Sequence, residues 1–131
     1  MTQLLLDTTY LVDVERSGGE LAEAIADDDD VAIAAVTVAE LRVGVLLADE
    51  RRRDARAAYV DDLVGNVPIL AYDLRVAGVH SELLAAVRNQ GRPRGAHALI
   101  IAATARATGR VVVTADAHAF TDLPKVTVRA H

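Results

Sequence analysis

The fold turns on "VVVTADAHAF", residues 111–120. Three valines stand side by side without polar alternation, and the run stops at once in Thr114, Ala115 and Asp116. A strand with one wet face alternates apolar and polar residues. An unalternated run suits a parallel strand covered on both faces. The same signature recurs in "VAIAAV" (31–36) and "VPIL" (67–70), and "QLLL" (3–6) reads as another short buried strand. Pro68 lies near the start of its strand, where a missing N–H is tolerated. "VTV" (126–128) closes the series.

Helical patterns fill the gaps. Residues 8–17 carry apolar positions at 11, 12 and 14 before Gly18, with Thr8 or Thr9 near the N-cap. Residues 20–30 read as a second helix, whose terminal "DDDD" opposes the macrodipole and is better suited to a solvated turn. Thr37 and Glu40 have the spacing of a capping box ahead of "LRVGVLLA". Residues 51–64 are amphipathic, 73–89 form a long helix ending at Asn89–Gly91, and 96–108 form a nearly all-apolar helix closed by Gly109. Strands alternating with helices predict βαβ units around a parallel sheet, the α/β class. A chain of 131 residues is read as one domain over 1–131, burying about two-thirds of its unfolded surface.

Composition narrows the chemistry. The chain has no cysteine, which excludes disulfides, thiolate metal sites and a thiol nucleophile, and is compatible with a reducing cytoplasm. No basic n-region precedes an apolar h-region, and no apolar stretch approaches the length of a membrane span, so no membrane association is expected. Net charge is 14 − 19 = −5, which argues against indiscriminate nucleic-acid binding. Two arginine-rich segments, "RRRDAR" (51–56) and "RNQGRPR" (88–94), are equally readable as solvated faces or as basic patches.

In open α/β sheets functional groups gather beyond the carboxyl ends of the strands. Asp7 follows the first strand directly, Asp116 follows "VVVT" by one residue, and Glu40 lies about one turn past "VAIAAV". Each has a plain explanation: Asp7 and Asp116 as N-caps, Glu40 as half of a capping box. Together they favour a divalent-cation site, because clustered carboxylates repel unless a cation neutralises them, and Mg2+ takes hard oxygen ligands. His80, His97, His118 and His131 lack zinc-like spacing and read as surface or packing residues.

Four segments in order, "LLLDTTYLVD" (4–13), "TVAELRVGV" (37–45), "GRPRGAHALIIAATA" (91–105) and "VVVTADAHAF" (111–120), resemble the signature segments of the PIN-domain nucleases. More narrowly they resemble the VapC toxins of bacterial toxin–antitoxin pairs. The resemblance implies a three-layer α/β/α domain around a central parallel sheet. It further implies Mg2+- or Mn2+-dependent endoribonuclease activity on RNA of the tRNA or rRNA class, arresting translation. It matches the family's first acid to Asp7 and its second to Glu40. The fourth acidic region matches Asp116, beside Thr114, whose hydroxyl is suited to orienting a water or ligand. Some relatives instead carry that acid just before the Phe, where Ala119 stands. The resemblance also implies a VapB-type antitoxin that blocks the acidic site with a basic residue, and a homodimer.

The third family acid falls at Ala98, which has no ligand oxygen. Either the site is naturally altered, or an aspartate was deliberately exchanged for alanine. The intact pattern around Ala98 favours the second, and a native alanine codon would refute it. Arg92 and Arg94, in the loop before the apolar helix, are expected to hold flanking phosphates with their planar donor forks. Two other readings remain open. One is a non-catalytic module that engages an antitoxin peptide, with the acids as caps. The other is a phosphotransferase of the haloacid dehalogenase type, whose pattern requires an acid where Thr9 stands.

Overall fold

The computed structural model describes residues 1–18 and 25–131. Strand β1 (Gln3–Leu6) leads into helix α1 (Thr8–Arg16), and β2 (Asp30–Ala34) into α2 (Ala35–Leu47) and α3 (Glu50–Asn66). Then come β3 (Ile69–Leu70), α4 (Leu74–Gln90), α5 (Ala96–Ala107) and β4 (Val111–Thr114). A short 3-10 turn (Ala117–Phe120) and β5 (Val128–Ala130) follow. The strands form one sheet in the order β3-β2-β1-β4-β5, every neighbouring pair parallel.

Both faces of the sheet are covered, as unalternated strands require. Successive side chains on a strand point to opposite faces. Leu4 and Leu6 of β1 therefore join Ile33 and Val113 in one core, closed by Tyr10, Leu11 and Val14 of α1, Leu41 of α2 and Val60 of α3. Leu5, Ala32, Ala34 and Val112 face the other core, closed by Leu83 and Val87 of α4 and by α5. This is the expected three-layer α/β/α arrangement. On α5 the residues Ala102, Ala103, Ala105 and Ala107 are all buried, and side chains this small let the helix lie close under the sheet. Among the described residues no helix is long and apolar enough to cross a membrane.

The register decides where the chemistry can sit. Leu6 pairs with Val113, so the carboxyl ends of β1 and β4 lie side by side. The N–H of Asp7 continues the ladder to the Val113 carbonyl at 2.9 Å. At the other end of these strands Arg110 donates to the carbonyls of Leu4 (3.1 Å) and Asp30 (2.9 Å), pinning β1, β2 and β4 together.

Several local expectations need correction. Strand β2 ends at Ala34, and α2 begins two residues before Thr37, with Ala34 as an N-cap that makes no side-chain bond. Thr37 and Glu40 thus lie inside the helix and form no capping box. Thr37 is fully buried, with its hydroxyl 3.2 Å from that of Thr8. By contrast, Asp7 is the N-cap of α1, one of the readings offered for it, and Thr8 and Thr9 stand next to that cap as expected. The last strand is Val128–Ala130, shifted from 126–128, because it runs beside β4 as far as Thr114. Of the helix expected over 20–30, residues 19–24 lie outside the described residues, and Asp27–Asp28 form a turn. The acid run there is not uniformly solvated. The Asp29 side chain is 5% exposed and accepts the N–H groups of Ala26 (2.8 Å) and Thr2 (3.2 Å). These bonds, Ala26 foremost, hold its carboxyl below the usual range against the opposing effect of desolvation, with Arg129 assisting.

Glycine serves two opposite ends here. Gly91 caps α4 in the left-handed region at φ 66°, and a Cβ there would meet nothing within 4 Å. Gly78 lies inside α4, equally unobstructed. Gly91→Ala should therefore cost about 1–2 kcal/mol of pure backbone strain. Gly78→Ala should add about 0.5–1 kcal/mol by restricting the unfolded chain. Urea unfolding followed by circular dichroism checks both, and equal signs would contradict the cap geometry.

Candidate active site

A cleft of about 860 Å³ opens at the carboxyl ends of β1 and β4, and Asp7, Glu40, Ala98 and Asp116 all line it. Four separate elements supply them. Asp7 is the residue between β1 and α1, and Glu40 projects from α2. Ala98 lies in the first turn of α5, and Asp116 precedes the 3-10 turn. Neither plain N-cap reading is complete. An N-cap carboxylate normally accepts the second or third helical N–H, whereas Asp7 Oδ1 takes that of Thr8, the first. Asp116 makes no side-chain cap bond.

Asp7 is only 5% exposed, and its carboxylate is held from three sides. Oδ1 accepts the Thr8 N–H at 2.8 Å. Oδ2 accepts the hydroxyls of Thr9 and Thr114, each at 2.7 Å. Those hydroxyls spend their single protons on Asp7 and use their lone pairs on backbone donors. Thr9 accepts from Ala115 N–H at 3.2 Å, and Thr114 from Asp116 N–H at 2.9 Å. The 3.1 Å approach of Thr9 and Thr114 is therefore a packing contact within the network. The buried carboxylate is satisfied, and the turn after β4 is fixed to it.

Glu40 is positioned in the same way. Its Oε1 accepts the Thr8 hydroxyl at 2.7 Å, and its Oε2 stands 3.1 Å from His97 Nδ1. His97, expected at the surface or in packing, belongs to the cleft. Its place beside position 98 at the start of α5 was the available signal. The hydroxyls of Thr8 and Thr9 are likewise part of the site, and their signal was the "DTT" run at the end of the first strand. Among the described residues the Asp116 carboxylate has neither a hydrogen bond nor an ion pair.

Arg92 and Arg94 are not brought to these acids. Arg92 pairs with Asp122 at 3.0 Å, and Arg94 donates to the Thr121 carbonyl at 2.6 Å. Neither lines the cleft. Arg16, at the end of α1, does.

Asp7, Glu40 and Asp116 offer the hard oxygen donors that Mg2+ and Mn2+ take. The donor type fits; the number falls short. Ala98 presents a methyl group, and among the described residues no three acidic, histidine or cysteine side chains are grouped to hold a metal ion.

The family model described as the PIN domain matches residues 4–126. Among solved structures, a chain of VapBC2 from Rickettsia felis, bound to a promoter DNA fragment, aligns with a TM-score of 0.88 at 20% identity, covering 99% of both chains. A chain of VapBC-5 from Mycobacterium tuberculosis, a member of the VapBC family of toxin–antitoxin systems, gives 0.83 at 29% identity over 100% of both chains. A chain of DNA-bound VapBC from Salmonella typhimurium gives 0.85 at 23%, covering 99% of this chain and 98% of the other. No curated protein matches the sequence.

Thr114→Val keeps the shape of a buried residue but removes a donor to Asp7 and the acceptor for Asp116 N–H. A hydrogen bond to a charged group is worth about 1.5–3 kcal/mol. The variant should lose that much in denaturant unfolding, while Thr114→Ser should lose less than half of it. Equal losses would show that methyl packing, not the hydroxyl, matters.

Proposed function

Because the chain belongs to the PIN-domain family, we propose that it is the VapC-type toxin of a VapBC pair, built on a metal-dependent endoribonuclease. Support for the toxin assignment comes from the 29% identity to the VapBC-5 chain over its full length. One observation carries the catalytic part: carboxylates from separate elements line one cleft, with Asp7 buried and held by two threonine hydroxyls. Its hydrogen bonds also tie β1, α1 and β4 together, and it is the meeting of this carboxylate with Glu40 and Asp116 in one cleft that points to chemistry.

In a form with an aspartate at position 98, that carboxylate with Asp7, Glu40 and Asp116 would hold Mg2+ or Mn2+, which would supply positive charge for a phosphate oxygen and acidify a water. The chain's own residues do the positioning. Thr9 and Thr114 aim Asp7, and Thr8 aims Glu40. The substrate is RNA of the tRNA or rRNA class, met in a single-stranded or looped segment, because a protein cannot easily read an A-form duplex. The partner is a VapB-type antitoxin, whose basic residue would enter the acidic cleft as a charge-assisted donor. The toxin acts as a homodimer in the cytoplasm. With Ala98 present, the chain is an inactive or weakened form.

That methyl group favours a second reading for the chain as it stands: a PIN-fold module that binds an antitoxin peptide and cleaves nothing. Calorimetry with Mn2+ separates the two. The Ala98→Asp variant of a nuclease takes up the ion, whereas that of a binding module does not.

Ala98→Asp should raise Mn2+-dependent cleavage of total RNA by more than about 100-fold, since even outer partners of metal ligands are worth ~10–100-fold. Adding Asp7→Ala should abolish the gain. Cleavage that survives the loss of Asp7, or never appears, sinks the nuclease reading.

A further inference from the structure

Nucleic acid must approach an acidic cleft on a chain of net charge −5, so some cation has to receive its phosphates. The arginines first suspected are occupied, Arg92 by Asp122 and Arg94 by the Thr121 carbonyl. Outside the cleft, Arg42 is paired with Asp61 at 3.3 Å, and Arg56, which lines a smaller adjoining cavity, with Glu15 at 3.6 Å. Arg16 differs. It is exposed, in the last turn of α1, and has no hydrogen bond or ion pair among the described residues. The acids nearest to it along the helix are already engaged. Asp13 faces His131 Nε2 at 2.9 Å, and Glu15 faces Arg56.

The position of Arg16 gives this charge, unpaired among the described residues, a direction. The main cleft adjoins a smaller cavity of about 210 Å³ between α1, α2 and α3, and the two share Val12, Arg16 and Glu40. The cavities therefore form one furrow that passes the carboxylates and continues along the flank of α1. Arg16 and Glu40 line both cavities, whereas Arg92 and Arg94 line neither.

We infer that Arg16 is the phosphate-binding residue of the site: it takes an RNA backbone phosphate flanking the scissile one and draws the strand along the α1–α2 furrow. The inference rests on the RNA-directed reading above. A guanidinium suits this task because its fixed fork of donors matches two phosphate oxygens at once and its charge does not titrate. Lying unpaired among the described residues, it sacrifices no ion pair there when the phosphate arrives. The partial negative charge at the end of α1 opposes an incoming phosphate, and the full charge of the guanidinium outweighs it.

The test is binding, not cleavage, and uses the chain with Ala98 so that the probe stays intact. Fluorescence anisotropy of a short, labelled, mixed-sequence single-stranded RNA is measured across a salt series. Arg16→Gln should weaken binding about tenfold, as expected for one charge-assisted contact. It should also shrink the slope of log affinity against log salt by about 0.7, the value for one phosphate on a single strand. Arg16→Lys should keep the slope, and Arg92→Gln and Arg94→Gln should change neither quantity. Unchanged affinity and slope in Arg16→Gln, or no RNA binding by the parent chain, overturns the inference. So does a loss confined to antitoxin binding, which would assign Arg16 to a protein partner. Cleavage by the Ala98→Asp variant is scored separately. If it cleaves with Arg16 silent, only this inference falls. If RNA binding depends on Arg16 and nothing is cleaved, only the nuclease reading falls.

Discussion

One carboxylate organises this end of the molecule. Asp7 is the point where β1 stops, α1 starts and the end of β4 is tied in. Its N–H belongs to the sheet, its Oδ1 to the first turn of the helix, and its Oδ2 to the hydroxyls of Thr9 and Thr114. Taking a carboxylate out of water is costly unless donors replace the lost hydration. Here three donors do so, and the two hydroxyls among them accept backbone N–H groups in turn. The turn after β4, and with it Asp116, is therefore placed by the same atoms that stabilise Asp7. Glu40 is linked to this network through Thr8, the residue whose N–H bonds Asp7 and whose hydroxyl bonds Glu40.

The rest of the fold makes room for that arrangement. A sheet covered on both faces cannot carry function on either face, which leaves its carboxyl-end edge. The alanines of α5 bring that helix close enough for its first turn, with His97 and Ala98, to form a wall of the cleft. Larger side chains along α5 would lift the helix and carry position 98 away from Asp7. The small-residue helix is thus the spacing element of the site, and Ala98, half-buried, packs against the core and also lines the cleft.

Strand and helix types were legible because unalternated valine runs and long amphipathic segments leave few alternatives. So was the gathering of Asp7, Glu40 and Asp116 into one cleft, because parallel strands send their carboxyl ends to one edge, whereas Ala98 was placed there only through the family resemblance. What depended on side-chain geometry across elements was not legible. Thr37 and Glu40 have capping-box spacing, but the helix starts two residues before Thr37, at Ala35, and spacing alone does not say where a helix begins. His97 looks like any surface histidine until α5 is set against α2. Arg92 and Arg94 form a basic motif in the sequence, yet Asp122 and the Thr121 carbonyl, nearly thirty residues away, absorb them. Arg16 carries no motif at all. Whether an arginine is free depends on where every nearby acid points.

The hydroxyl clamp on Asp7 also sets an order of assembly. Thr114 reaches Asp7 across 107 residues of sequence, so the contact is among the last the ribosome can permit. Until β4 is made, β1 lacks one of its two neighbours and Asp7 lacks a donor that keeps it oriented. Contacts this distant form slowly, because the closure of a long loop opposes them. A chain interrupted between Glu40 and Thr114 carries Asp7 and Glu40 but lacks the Thr114 hydroxyl that completes the hold on Asp7.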